Sequence, residues 1–135
     1  MIYTVTPNPA LDITWGVPGW TRGSTTRVTD IQENPGGKGL NVARVADQLG
    51  ASACALGPLG GASGERVRDL FASLAPRVQT RWIASPVPTR RSVALVDGEV
   101  SIFNEAGQAP PCDVWSRCAE FLASVLTLGD VCAIC

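Results

Sequence analysis

A glycine-rich run around a single lysine sets the tightest local constraint on how this chain folds. The run is Asn34-Pro35-Gly36-Gly37-Lys38-Gly39-Leu40-Asn41, and Lys38 is the only lysine in the chain. Glycine permits positive φ and close approach of the backbone to a ligand, and the first turn of a helix carries unpaired N–H groups. The run therefore predicts a loop that leads into a helix and can bind a phosphate or a polar hydroxyl ligand. The apolar residues whose spacing predicts the helix are Val42, Val45, Ala46 and Leu49.

The same run has a plainer interpretation, in which the glycines form a tight strand-to-helix turn and Lys38 is a solvated surface charge. Two better-known phosphate motifs are absent, since the chain contains neither Gly-x-x-x-x-Gly-Lys-Ser/Thr nor Gly-x-Gly-x-x-Gly. Their absence argues against a P-loop and against an unrelated α/β nucleotide-binding domain. It does not exclude a site for a phosphate group carried by another kind of ligand.

Composition predicts one soluble globular unit and excludes several kinds of partner. Hydrophobic residues make up 45% and charged residues 17% of the chain, which is enough apolar material for a core. A net charge of −1 with scattered basic residues argues against binding to nucleic acid or to an acidic membrane surface. The sequence has no basic leader and no apolar stretch of membrane-spanning length, so we expect a cytoplasmic protein.

The absence of histidine narrows the chemistry further. Ser-His-Asp and Cys-His catalysis are excluded, so a general base would have to be a carboxylate, Lys, Tyr or Cys. Cys132 and Cys135 have the spacing of a redox or zinc pair, but no second pair accompanies them, and we expect no metal site. The five cysteines are predicted to be reduced and mostly buried.

Hydrophobic periodicity predicts alternating strands and helices, which is typical of a parallel α/β sheet. The strands near residues 10–31 and 91–103 lack intervening helices, so they predict a separate antiparallel flap. Asp97-Gly98 gives the strongest hairpin signal in the chain. The predicted strands are 2–5, 10–17, 25–31, 51–56, 78–84, 91–97, 100–103 and 130–135, and the later helices begin near residues 63 and 113.

Five motifs, taken together and in order, resemble the PfkB carbohydrate kinases. They are 6–12 (Thr-Pro-Asn-Pro-Ala-Leu-Asp), 36–43 (Gly-Gly-Lys-Gly-Leu-Asn-Val-Ala), 57–60, Thr89-Arg90 and 104–107. Within that ribokinase-like family the resemblance is to the 1-phosphofructokinase and tagatose-6-phosphate kinase branch. It implies an α/β fold with a parallel sheet flanked by helices and a small antiparallel β lid, whose strands span about 11–33 and 88–105. Residues 1–135 would form the N-terminal part of a single kinase domain, incomplete because the C-terminal nucleotide-binding half is absent.

The resemblance assigns the sugar hydroxyls to four residues. Asp12 would accept hydrogen bonds from them, although a turn-capping aspartate is the alternative. Gly36 and Gly37 would bind the sugar through backbone N–H groups, and Asn41 through its side-chain amide. No residue is implied as a metal ligand.

The resemblance also implies which cations bind a phosphate already present on the substrate. Lys38 fits this role, and Arg90 would be a second clamp because its guanidinium suits a dianion. The neighbouring Arg91 is a competing candidate, and a solvated flap charge is the plain alternative for both arginines. Arg27 could reach in from the lid. Two further residues, Asn104 and Glu105, are expected to support the site rather than contact the substrate.

One expected motif is missing. The family's phosphoryl transfer uses an aspartate base in Gly-Ala-Gly-Asp, which does not occur here, and that aspartate is expected to lie beyond Cys135. The leading hypothesis is a hexose-phosphate kinase that converts a ketohexose monophosphate to a bisphosphate, present as a truncated chain that is inactive alone. ATP and Mg²⁺ would serve the full-length family and would not be bound by this chain alone. The alternative is a non-catalytic sugar-phosphate-binding module, or a module that forms a homodimer through the lid.

Overall fold

The computed structural model describes residues 1–135, which form eight strands and three helices. The strands are β1 (Ile2–Val5), β2 (Ala10–Gly16), β3 (Asp30–Gly36), β4 (Ala53–Leu59), β5 (Gln79–Ala84), β6 (Arg90–Asp97), β7 (Glu99–Asn104) and β8 (Val131–Ile134). The helices are α1 (Lys38–Gln48), α2 (Gly61–Leu74) and α3 (Cys112–Val125). None of these helices combines the length and the apolar character that a membrane crossing requires.

The strands form two separate four-stranded sheets. The body sheet has the order β5-β4-β1-β8 with every pair parallel, and the lid sheet has the order β3-β2-β6-β7. The predicted fold class, a parallel α/β sheet flanked by helices with a small separate lid, is confirmed. The lid sheet is mixed rather than antiparallel, because β2 and β6 run parallel from the Ala10–Arg90 pair to the Gly16–Val96 pair. The chain between these two strands contains β3, α1, β4, α2 and β5, and parallel pairing requires a long crossover of this kind.

Helices cover both faces of the body sheet. Alternate residues of β4 point to opposite faces, so Ala55 packs in a cluster with α1 and α2, while Leu56 packs in a second cluster with α3. The predicted helix after the glycine run is present, but its buried face differs from the prediction. That face carries Gly39, Leu40, Ala43 and Ala46, and the exposed residues are Val42, Val45 and Leu49.

Close approach explains which face of α1 is buried. A Cβ placed on Gly39 would lie 2.9 Å from the carbonyl oxygen of Val5, so the start of α1 lies almost directly on the end of β1. A residue larger than glycine does not fit at this contact. The contact fixes which face of α1 is turned toward β1, and Val42 and Val45 lie on the opposite, exposed face.

The glycine run also differs from the predicted loop. The strand predicted over residues 25–31 lies instead at Asp30–Gly36, so β3 continues into the run, and Gly37 alone joins it to α1. Pro35 is tolerated in β3 because β3 is an edge strand of the lid sheet, where a missing N–H donor leaves no gap in the ladder. Gly37 has φ of 132°, a conformation that other residues rarely adopt.

The cysteines and the last strand show two further features. All five cysteines are free thiols, but only Cys54 and Cys118 are buried, so the expectation of mostly buried thiols is wrong.

The edge strand β8 is held against β1 in part by the N-terminal amine, which donates a 2.7 Å hydrogen bond to Asp130. That bond, together with donors from Thr127, lowers the pKa of Asp130 to about 2.

Candidate functional site

An open cleft of about 510 Å³ lies between the lid sheet and the start of α1. Its floor includes Thr6 and Cys135, which follow the carboxyl ends of β1 and β8, the edge where ligands bind in open parallel α/β sheets. The residues that line the cleft are Thr6, Pro7, Asn8, Asp12, Gly37, Lys38, Asn41, Arg90, Ser92, Asn104 and Cys135.

Most of the residues expected to bind a sugar phosphate meet in this cleft. Asp12, Gly37, Lys38, Asn41 and Arg90 all line it, although they come from β2, β6 and the start of α1. These residues are separated in the sequence by up to 78 positions, from Asp12 to Arg90, and the fold brings them together.

Three other candidate residues lie elsewhere. Gly36 does not line the cleft but lies against the side chain of Asp12. Arg27 is exposed in the segment between β2 and β3 and does not line the cleft, so its contact with a ligand stays a prediction. Arg91 points to the other side of the lid, where its guanidinium donates 2.9 Å and 2.6 Å hydrogen bonds to Glu105, so Arg90 is the arginine available to the cleft.

Asp12 is the only acidic side chain that lines the cleft, and it forms no hydrogen bond or salt bridge within the chain. It lies in the middle of β2, half-buried, with Asn34 and Ser92 beside it on the neighbouring strands. Burial raises the pKa of Asp12, and the positive charge of Arg90 opposes that rise. Gly36 makes room for this carboxylate, because a Cβ at that position would overlap it.

The start of α1 presents its backbone to the cleft. The helix has no side-chain cap at Gly37, so no side chain occupies the N–H groups of its first turn. Thr6 lies beneath this turn, and a Cβ on Gly37 would come within 2.5 Å of its methyl group. The positive end of the helix dipole therefore adds to the charge of Lys38 at the same place.

Four of the eleven basic residues form side-chain salt bridges, and the two cations of the cleft are not among them. Side-chain salt bridges join Arg66 to Glu33, Arg77 to Asp47, Arg91 to Glu105 and Arg117 to Asp113. Neither Lys38 nor Arg90 forms a salt bridge, and the buried Nε atom of Arg90 has no hydrogen-bond partner. Two free cations facing one cleft favour an anionic ligand.

Packing fixes the stem of Arg90. Gly107, which has φ of 76°, lies over it, and a Cβ there would lie 3.3 Å from Cδ of Arg90 and 3.2 Å from Oδ1 of Asn8. The segment after β7 therefore packs on the aliphatic part of Arg90, a residue that also lines the cleft.

Sequence reasoning gave no binding role to several lining residues, including Thr6, Asn8 and Ser92, and expected only support from Asn104. The predicted hairpin gave a usable signal, because its register pairs Ser92 with Asn104. The pairing of Ser92 with Asp12 could not be read locally, since it joins strands that are distant in the sequence. No group of three or more His, Cys, Asp or Glu side chains could hold a metal ion.

Comparisons with known proteins show the family and the fold of this chain. The sequence profile of the pfkB family of carbohydrate kinases matches residues 8–110. Phosphofructokinase-2 from Escherichia coli, solved in complex with fructose-6-phosphate, is 32% identical with a TM-score of 0.88, covering 98% of this chain and 44% of that chain. A candidate phosphofructokinase from Staphylococcus aureus is 29% identical with a TM-score of 0.89, covering 99% and 43%.

A candidate 1-phosphofructokinase from Thermotoga maritima is 25% identical with a TM-score of 0.87, covering 99% of this chain and 44% of that chain. The chain thus spans less than half the length of each of these solved structures. The family match extends over most of the sequence and includes the cleft residues from Asn8 to Asn104. This chain belongs to the pfkB family of carbohydrate kinases.

Proposed function

We propose that the cleft binds a ketohexose monophosphate, and that the parent reaction converts this substrate to a bisphosphate with ATP. One observation carries the proposal: two cations without salt-bridge partners, Lys38 and Arg90, share a cleft with the uncommitted carboxylate of Asp12. A phosphate dianion suits the cations, and hydroxyl groups suit the carboxylate. A neutral sugar would leave both cations unused.

The cleft divides into two parts by chemistry. Asp12 and Asn41 offer an acceptor and an amide to sugar hydroxyls, and the first-turn N–H groups at Gly37 add donors. Lys38 and Arg90 offer a point charge and a planar fork to the phosphate. Phosphate contacts at one part would fix which hydroxyls meet Asp12 at the other.

Kinases of the pfkB family use ATP and Mg²⁺, but the residues of this chain do not fit these groups. The sequence contains no Gly-Ala-Gly-Asp, and no acidic cluster in the structure could hold a metal ion. We therefore assign no step of phosphoryl transfer to these residues. We propose that they form the N-terminal part of a kinase domain and that the chain alone binds its sugar phosphate without turnover.

Replacement of Lys38 by alanine tests the binding proposal. We expect isothermal titration calorimetry to give saturable binding of fructose 6-phosphate or fructose 1-phosphate to the wild-type chain, and much weaker binding of fructose. Lys38→Ala should lower the affinity for the phosphate ester by about 10-fold or more, because a hydrogen bond to a charged group is worth about 1.5–3 kcal/mol. Binding of fructose should not change.

Arg44→Ala is the matched control, because Arg44 lies on α1 but does not line the cleft. It should leave every affinity unchanged. Equal affinity of the wild-type chain for fructose and its phosphates, or an unchanged affinity in Lys38→Ala, would contradict the proposal. Formation of a bisphosphate from ATP by the purified chain would contradict only the expected lack of turnover.

We also infer that the lid carries a dimerisation surface. Beyond Asp12, the β6 and β7 part of the face that bears it becomes apolar, with Val96, Val100 and Ile102 all exposed, whereas the β2 and β3 part carries Thr14 and Gln32. Asp12 pairs with Ser92, and Ala94, two residues further along β6, pairs with Ile102. Residues two apart on a strand point to the same face, so Asp12, Ala94 and Ile102 share this face. An exposed apolar patch on a sheet favours association with a second copy.

Ile102→Asp tests the dimer. Phe103→Asp is its matched control, because Ile102 and Phe103 are adjacent on β7 and exposed to 60% and 59%, but they point to opposite faces of the lid. We expect sedimentation velocity to show a wild-type dimer that Ile102→Asp dissociates and Phe103→Asp preserves. A monomeric wild-type chain, or equal effects of the two substitutions, would overturn this inference.

A further inference from the structure

A row of short polar side chains crosses the lid sheet from edge to edge. Asn34 in β3 pairs with Asp12 in β2, Asp12 pairs with Ser92 in β6, and Ser92 pairs with Asn104 in β7. Paired residues of neighbouring strands point to the same face, so this polar row lies on the face that bears Asp12. Three of its four members, all except Asn34, line the cleft.

The polar row spans all four strands only at this level of the lid. Toward the tip, β2 and β3 continue on the same face with Thr14 and Gln32, but the neighbouring pair on β6 and β7 is Ala94 with Ile102, which offers no hydrogen-bonding side chain. Toward the body, the neighbouring pair is Ala10 with Arg90, where Arg90 supplies a cation instead. Ser92 and Asn104 are therefore the only short polar side chains that β6 and β7 place in the cleft.

No side chain in this row forms a hydrogen bond or a salt bridge with another group of the chain. Asp12, Ser92 and Asn104 form no side-chain hydrogen bond within the chain, whereas Glu33 and Glu105, on the other side of the lid, are both paired with arginines. Serines elsewhere show the contrast, because the half-buried Ser63 and Ser85 both form hydrogen bonds. Ser92 is the half-buried serine that has no partner.

The chemistry of the row varies along its length. An ionised aspartate only accepts hydrogen bonds, whereas a serine hydroxyl and an asparagine amide both donate and accept. Two interstrand spacings, about 10 Å, separate Asp12 from Asn104, so one small sugar hydroxyl cannot reach both. The row can contact several hydroxyls of one ligand at once, each at a different strand.

We propose that Ser92 and Asn104 contact sugar hydroxyls beyond those reached by Asp12, and that they determine which epimer of the ketohexose monophosphate is bound. This inference rests on the proposed function, because it requires the phosphate to be held at Lys38 and Arg90. A substrate fixed at its phosphate presents each hydroxyl at a defined strand, and inversion of one carbon removes that hydroxyl from its partner. A polar group of the site that is left unpaired in this way discriminates against the epimer that lacks the matching hydroxyl.

Titration of three epimeric sugar phosphates tests this assignment. The probes are fructose 6-phosphate, its C3 epimer psicose 6-phosphate and its C4 epimer tagatose 6-phosphate, with inorganic phosphate as a probe of the two cations. We expect the wild-type chain to prefer one epimer. Ser92→Ala and Asn104→Ala should each lower the affinity for that epimer by about 3- to 10-fold, the effect of one neutral hydrogen bond, and reduce the preference.

Affinity for inorganic phosphate should stay unchanged in both variants, which also reports that they are folded. Ser92→Cys, which keeps the side-chain size but weakens the hydrogen bond, should give the same direction of change. The control is Ser101→Ala, since Ser101 lies on β7 but points to the opposite face and should have no effect. Unchanged epimer preference in the Ser92 and Asn104 variants would overturn this inference alone, and absence of any sugar-phosphate binding by the wild-type chain would overturn the proposed function with it.

Discussion

Replacement of Gly36 by alanine is expected to weaken binding of the ketohexose phosphate by about 100-fold or more. The new Cβ would overlap the carboxylate of Asp12, which would have to rotate away from its present position. The ligand would then lose the charge-assisted hydrogen bonds proposed for Asp12, each worth about 1.5–3 kcal/mol. The fold should survive, because a short side chain beside an open cleft can move more easily than backbone. Calorimetry with fructose 6-phosphate gives the affinity, and the urea midpoint gives the stability.

Gly16→Ala provides a matched control within the same sheet. A Cβ on Gly16 would lie 2.7 Å from Oδ2 of Asp30, a similar crowding of a carboxylate, but Gly16 and Asp30 lie outside the cleft. We expect this substitution to change the affinity by less than about twofold, since no contact to the ligand is lost. Equal losses of affinity in the Gly16 and Gly36 variants would mean that general distortion of the lid, and not the position of Asp12, controls binding.

The sequence predicts the elements whose signals are local. Apolar spacing predicts α2 and α3, and Asp97-Gly98 predicts the hairpin of β6 and β7, in which Gly98 has φ of 72°. The glycine run predicts the start of α1, because its pattern changes from turn residues to helical spacing within a few positions. Motif resemblance connected Asp12, Asn41 and Arg90, which line the same cleft and which periodicity alone would not have connected.

Features set by distant contacts could not be predicted in this way. The parallel pairing of β2 with β6 joins strands that are separated in the sequence by β3, α1, β4, α2 and β5, and no local pattern records that register. The buried face of α1 depends on the close approach of Gly39 to β1, so the valines with the clearer helical spacing are exposed. The roles proposed for Ser92 and Asn104 require both the hairpin register and the β2–β6 register.

Replacement of Phe71 by alanine is expected to lower the free energy of unfolding by about 3–5 kcal/mol. Phe71 is only 1% exposed and lies in the cluster that joins α2 to the body sheet. Its ring meets Trp82 of β5 edge-on, with centroids 5.8 Å apart, so truncation leaves a cavity beside a second large ring. Because domains of this size are usually stable by about 5–15 kcal/mol, the loss should shift the urea midpoint by a large fraction of its value.

Leu74→Ala separates packing from a general effect of shortening a side chain on α2. Leu74 lies at the end of the same helix and is 49% exposed, so we expect its truncation to cost about 1 kcal/mol or less. The slope of the unfolding free energy with urea should match the wild type in both variants, because each unfolds the same surface. A smaller loss for Phe71→Ala than for Leu74→Ala would contradict the burial of this helix face against β4 and β5. The cleft would then lack the support described for it, since α2 also packs against β2 and β3, the strands that place Asp12.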